Sequence, residues 1–187
     1  FHVRPRKYRM PSANCLVYRP GKRGDELCLS VLAMQVFLDT YATRGIRADL
    51  AREALNVYSA EVFASRLADL AVELTVVESD EYAVAFSDVC LASVCPVQGI
   101  VGPEVLRLYV QGPFQRQGIG QALLKQVEAR ARHAGASHVW LTAWIGNTGA
   151  LAFYPAAGYK SVGTTQYAIE GQAYENRIYA KSLESAI

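Results

Sequence analysis

Gln115-Arg116-Gln117-Gly118-Ile119-Gly120 is the stretch whose residue types most plainly allow chemistry. It opens the chain's clearest amphipathic helix pattern. Glycines at a helix start leave backbone N–H groups open to an anion, with no Cβ in the way. The aligned peptide dipoles add the equivalent of roughly half a positive charge, and a pyrophosphate is the natural guest. An ordinary tight turn has the same composition. A Walker A loop is excluded because no Gly-Lys-Ser/Thr ends the turn, and a dinucleotide fingerprint lacks its third Gly because position 123 is Leu. Cys15, Cys28, Cys90 and Cys95 have no CxxC spacing, and His2, His133 and His138 are the only histidines. These residues are expected to form neither a metal site nor a His-based triad, and the thiols are read as reduced.

The turn is followed by Asn147-Thr148-Gly149-Ala150-Leu151-Ala152-Phe153-Tyr154-Pro155-Ala156-Ala157-Gly158-Tyr159. Taken together, the two motifs resemble those of the GNAT N-acetyltransferase family. Gln115, Gly118 and Gly120 match its Gln/Arg-x-x-Gly-x-Gly/Ala turn, and Asn147, Ala150, Phe153, Tyr154, Gly158 and Tyr159 match its second motif. Leu106 to Val110 resembles the strand before the turn, and Phe37-Leu38-Asp39-Thr40-Tyr41 resembles a first-helix segment of the bacterial polyamine-acetyltransferase-like subgroup.

The resemblance implies an α/β acyl-CoA N-acyltransferase fold. Its sheet is mixed and mostly antiparallel, with a central parallel strand pair splayed to hold acetyl-CoA as cosubstrate. By the same analogy, the backbone of Leu108, Tyr109 and Val110 meets the pantetheine arm. Gln115, Arg116, Gln117, Gly118, Ile119, Gly120 and Gln121 cradle the pyrophosphate. Asn147 holds the arm or the local loop, Phe153 packs against the arm and Tyr154 faces the sulfur. Asn147 as a helix cap, Phe153 as core and Tyr154 as a satisfied buried aromatic stand beside these roles. Pro155-Ala156-Ala157 departs from relatives that carry charged residues there, so that turn supplies no cationic grip on a 3′-phosphate.

An alkyl amine of pKa about 10.4 is mostly protonated at pH 7, and freeing it costs roughly 4 to 5 kcal/mol. A positioned base contributes about 10² to 10⁴ in rate. Glu104, at the start of the strand that reaches the cofactor, is the candidate, directly or through water; a solvated strand-entry carboxylate is its plain reading. Leu106 stands where some relatives carry Glu. Asp39 and Tyr41 are candidates for orienting a cationic acceptor. Tyr154 is a phenol of pKa about 10 facing a thiol of about 8.5, so full proton transfer is uphill by roughly 2 kcal/mol. Its expected role is a hydrogen bond to the developing thiolate, with its pKa lowered by the site, while backbone N–H polarises the carbonyl.

Periodicity places the elements that carry these residues. Strands are expected at 14–19, 73–78, 82–92, 104–110, 137–144, 161–168 and 175–182, and helices at 26–40, 48–57, 60–70, 118–134 and 149–157. Asp25 and Ser59 read as N-caps and Gly135 as a left-handed C-terminal cap. Ser79-Asp80-Glu81 reads as a hairpin connection and 95–103 as a loop. Trp140 and Trp144 read as core or wall residues rather than substrate readers.

At 187 residues, 51% hydrophobic and 19% charged, the chain is long enough for one cored domain and excludes disordered, collagen-like and coiled-coil classes. Residues 1–12 read as a basic extension without assigned function, with an expression remnant before Met10 left open, and residues 13–187 read as the domain. Seven of the 19 bases precede Asp25, leaving 12 against 17 acids. Such a body suits a cationic small molecule better than nucleic acid. No apolar run reaches the roughly 20 residues of a membrane span, and no export signal is visible, so a cytoplasmic setting is expected. The reading is an acetyl-CoA-dependent N-acetyltransferase acting directly on a primary amine of a small molecule or peptide, polyamines first, with a homodimer expected from relatives. Its rivals are a non-catalytic acyl-CoA-binding regulatory module of the same fold and a nucleotide-binding α/β domain.

Overall fold

Alternating apolar residues between turn formers produce seven strands in the computed structural model, which describes residues 15–183. The expected extension 1–12 lies outside the described residues. In chain order the elements are β1 (Leu16–Pro20), α1 (Glu26–Tyr41), α2 (Ala48–Val57), α3 (Ala60–Ala68), β2 (Val72–Ser79), β3 (Tyr82–Cys90), β4 (Glu104–Val110), α4 (Ile119–His133), β5 (His138–Trp144), α5 (Thr148–Ala156), β6 (Lys160–Ile169) and β7 (Gln172–Ser182). A 3-10 turn, Gly112–Phe114, joins β4 to α4. The sheet order is β1-β2-β3-β4-β5-β7-β6, antiparallel throughout except for the central β4 and β5. This is the expected mixed sheet.

Local chemistry explains most boundaries. In α4 the residues Ile119, Leu123, Val127 and Ala131 recur every four positions and are all buried. Gly118 (φ 83°) opens that helix and Gly135 (φ 80°) follows its end, both left-handed. Ser59 caps α3, accepting from Val62 N at 3.3 Å. Asp25 does not cap α1. Its own φ and ψ are already helical (−82°, −15°), and its carboxylate accepts instead from Arg19 at 2.7 and 2.9 Å and from Lys22 N at 2.8 Å. The last hairpin is longer than periodicity indicates. Glu170 (φ 42°) and Gly171 (φ 82°) form its two-residue turn, so the ladder continues from Ile169 directly into Gln172.

Period-two alternation sorts side chains to two faces. Helices α1, α2 and α3 cover one, where Phe37, Leu50 and Phe63 pack with Leu74, Val76 and Phe86. Helices α4 and α5 cover the other, where Leu124 and Val127 meet Val139, Leu141 and Tyr179. Trp140 is a core residue whose Nε1–H donates to Gly102 O at 3.0 Å. Beneath α3 the fully buried Asp88 accepts from Arg66 at 2.5 Å and from Arg107 at 2.6 Å. All four cysteines are free. Among the described residues no helix is long and apolar enough to cross a membrane.

Candidate active site

The two parallel strands barely touch. A single aligned pair, Glu104 with Trp140, joins β4 to β5, and past it the β4 edge that faces β5 has no strand partner. Between the pairs Asp88–Arg107 and Val89–Val105, β4 spends two steps where β3 spends one, so Leu106 is an extra, bulged residue. Unpaired backbone amides must find partners in water or in a ligand. The result is a wedge lined by peptide groups, closed at Glu104 and open toward Val110 and Trp144.

The Gly-rich turn sits at the open end, with residues 115–118 exposed. Its two glycines have separate reasons. Gly118 adopts a left-handed conformation with nothing within 4 Å of where a Cβ would stand, which leaves the start of the 15-residue α4 uncovered. A Cβ on Gly120 would meet Phe153 Cζ at 3.3 Å and Leu108 Cδ2 at 3.8 Å. Gly120 therefore lets α4 approach β4 and α5 closely. Gln115 Nε2 donates to Val110 O and Gln117 Nε2 to Pro113 O, both at 3.0 Å. Their side chains staple the turn, so only their backbones are directed by it toward a ligand. Arg116 (φ 60°) is exposed, and Gln121 lies on the first turn of α4.

Across the wedge, α5 presents the second motif. Asn147 Oδ1 accepts from Ala150 N at 3.0 Å, which is the capping alternative. Phe153 packs at the wedge beside Gly120, and its ring centroid is 5.2 Å from that of Tyr154. Tyr154 also approaches Tyr179 at 5.8 Å and Tyr159 at 6.0 Å. Burial pushes the Tyr154 phenol up, not down as expected from its pairing with a thiolate. Aromatic rings surround it, and the rise comes from desolvation. Glu104 Oε2 accepts from Ser93 Oγ at 2.7 Å, at the closed end of the wedge, about 20 Å along the strand from Val110.

On the opposite face of the sheet stands a cluster of aromatic side chains. Tyr41 stacks on Trp144 with centroids 4.9 Å apart, and Tyr174 meets both edge-on at 6.1 and 6.0 Å. Tyr109, expected with the cofactor arm, turns its side chain to this face, with its hydroxyl 3.1 Å from that of Tyr58. Only its backbone can serve the wedge. Burial raises the phenols of Tyr41, Tyr58 and Tyr109. Asp39 is not brought here. Two residues turn a helix by about 200°, so Asp39 is exposed on the side of α1 away from Phe37 and Tyr41. Glu53, Tyr58, Tyr167, Tyr174 and Asn176 were not singled out by motif or period, because they come from two stretches more than a hundred residues apart, the end of α2 and the β6–β7 hairpin. The paired tyrosines flanking Glu170-Gly171 were the available signal.

The profile of the Acetyltransferase (GNAT) family matches residues 46–159, spanning both motifs and the wedge. The chain belongs to the GNAT acetyltransferase family. The tRNA(Met) cytidine acetyltransferase TmcA of Aeropyrum pernix is 32% identical over 120 residues, which are 64% of this chain and 16% of that protein. The PaiA N-acetyltransferase of Thermoplasma acidophilum, solved in complex with coenzyme A, superposes with a TM-score of 0.74 at 20% identity, covering 89% of this chain and 98% of its own. YncA of Salmonella typhimurium, solved with its cofactor acetyl-CoA, gives 0.62 at 16% identity, covering 92% and 96%. The GNAT features that fit acetyl-CoA here are the uncovered α4 N-terminus for its pyrophosphate and the unpaired β4 edge for its amide-bearing arm.

Proposed function

We propose that this chain transfers the acetyl group of acetyl-CoA directly to a primary amine, with polyamines as the acceptor class. The observation that carries the reading is the peptide-lined wedge, whose unpaired β4 edge ends at the open N-terminus of α4. Bound acetyl-CoA supplies the acetyl group as a thioester. The backbone of Leu108 to Val110 pairs with its arm, and the N–H groups from Gln115 to Gln121 cradle its phosphates. Phe153 and Gly120 set the width of the wedge.

The acceptor amine attacks the acetyl carbon, the new carbon–nitrogen bond forms and the carbon–sulfur bond breaks. A bulge on β4 at Leu106 leaves peptide N–H free to polarise the carbonyl. Tyr154, kept protonated by burial, is a hydrogen-bond donor to the leaving sulfur and not a full acid. Glu104, at the closed end, takes the amine proton through water, with Ser93 fixing its carboxylate.

Mass spectrometry after incubation with acetyl-CoA and pooled polyamines, amino acids, amine antibiotics and short peptides tests the reading. An acetylated amine that is lost in Tyr154→Phe is expected. Acetyl-CoA binding without any product would instead identify a regulatory binding module.

A further inference from the structure

Where α2 meets the β6–β7 hairpin, three carboxylates share one rim, and two of them are spent. Asp49 pairs with Arg47 at 2.8 Å and Glu170 with Arg52 at 2.5 Å. Glu53, one helical turn after Asp49, makes no salt bridge among the described residues and accepts only the Tyr167 hydroxyl, while Arg47 also donates to the Tyr174 hydroxyl at 3.0 Å. Tyr167 lies directly opposite Tyr174 across the hairpin, and Tyr174 touches Tyr41 and Trp144. Glu53 is thus at the edge of the aromatic cluster. Its charge contributes to raising the phenols of Tyr41, Tyr58 and Tyr167, so its field reaches all three.

A second, independent acceptor lies on the same face of β7. Asn176 is nine-tenths buried, and its Oδ1 has no hydrogen-bond partner among the described residues. It pairs with Trp144 across the β5–β7 ladder and shares the face of Tyr174 two residues before it. A half-buried carboxylate without a salt bridge and a buried amide oxygen without a donor both call for N–H groups. Aromatic faces between them favour a cation.

The geometry points to Glu53 as the anchor for a second, non-reacting ammonium of an aliphatic diamine or polyamine acceptor, whose chain crosses the aromatic cluster and donates N–H to Asn176. The inference rests on the acetyltransferase reading and narrows its substrate. The reacting amine must lose its proton, and a carboxylate beside it would hold that proton in place. Glu53 meets the sheet through Tyr167 on β6, three strand spacings, about 14 Å, from β4 and its bulge at Leu106. An anchor so placed binds the far end of the acceptor.

Putrescine and butylamine separate the cases, measured on the full chain saturated with coenzyme A by calorimetry and with acetyl-CoA by steady-state kinetics. Glu53→Gln should raise the putrescine Kd and KM about 10- to 100-fold and leave kcat and all butylamine constants within about twofold. Equal losses for both amines, or no loss for either, would overturn the anchor. The wild-type protein gives a check that needs no variant: the putrescine KM should rise more steeply with added salt than that of butylamine, and parallel slopes would count against the anchor. Putrescine binding weakened in Glu53→Gln but without product would stand for the anchor and against the enzyme. Both amines acetylated with unchanged constants in Glu53→Gln would do the reverse.

Discussion

The wedge and the aromatic cluster belong to one sheet, yet they are built of different material. The wedge is backbone: an unpaired strand edge, a bulge at Leu106, a helix N-terminus and two glycines, all within residues 104–121, with α5 as its far wall. The cluster is side chains, with Tyr41 from α1, Glu53 from α2, Trp144 from β5, Tyr167 from β6 and Tyr174 and Asn176 from β7. Recognition by peptide groups needs contiguous chain in one conformation and leaves a motif. Recognition by side chains leaves none, because each position needs only its own element to arrive. Such a division suits a fixed cosubstrate and an acceptor that differs from one family member to the next.

Asp88 connects the two regions, so its loss should act on both. Through Arg107 it holds the strand beside the Leu106 bulge, and Arg107 in turn lies under the Tyr58 ring at 5.2 Å. Asp88→Ala leaves two guanidinium groups beside an emptied, fully buried position, and unfolding in urea should show a loss of about 3–5 kcal/mol. A loss under about 1 kcal/mol would mean that the regions are held independently.

Next in size is an effect confined to the wedge. Tyr154→Phe should lower kcat by about 10²-fold and leave the acetyl-CoA Kd unchanged. Because burial raises the phenol above its ordinary value of 10.0, Tyr154 stays protonated through neutral and mildly alkaline pH. The rate should therefore climb with pH as the free amine fraction grows, with no alkaline fall below about pH 10. A fall in that range that disappears in Tyr154→Phe would show the phenol titrating after all, and full turnover in the variant would remove it from the mechanism.

The contrast also explains what could be read before folding. The boundaries of α2, β4 and α4 follow from period and punctuation, because each buries its own apolar stripe or ends at its own glycine. The Gly-rich turn was legible because Gly118 and Gly120 are needed there for conformation and closeness. Asp25 failed as a cap because Arg19, six residues earlier, reaches its carboxylate first. Tyr109 was assigned by strand position alone, which fixes where its backbone runs but not that its ring packs with Phe86 at 5.5 Å and Tyr58 at 6.2 Å. The β6–β7 turn was missed because Glu-Gly is a weaker hairpin signal than Asn-Gly or Asp-Gly. With it went the pairing that sets Tyr167 beside Tyr174.

Gly118→Val sharpens the same contrast at smaller scale. A β-branched residue at φ 83° is strained by about 1–2 kcal/mol, which the start of α4 relieves by shifting. Calorimetry should show acetyl-CoA bound roughly tenfold more weakly, with the acceptor KM unchanged at saturating acetyl-CoA. A raised acceptor KM would mean that the two regions are coupled through α4.

The smallest effect is expected where the first-helix resemblance and the structure part. Asp39 matches the polyamine-acetyltransferase-like segment, yet α1 turns Phe37 and Tyr41 inward and leaves Asp39 exposed. The carboxylate that faces the tyrosines is Glu53, on the next helix. Asp39→Ala should therefore change the putrescine KM by less than about twofold, since an exposed charge in water contributes little. A tenfold rise would place the acceptor on the outer side of α1, and the aromatic cluster would then serve packing alone.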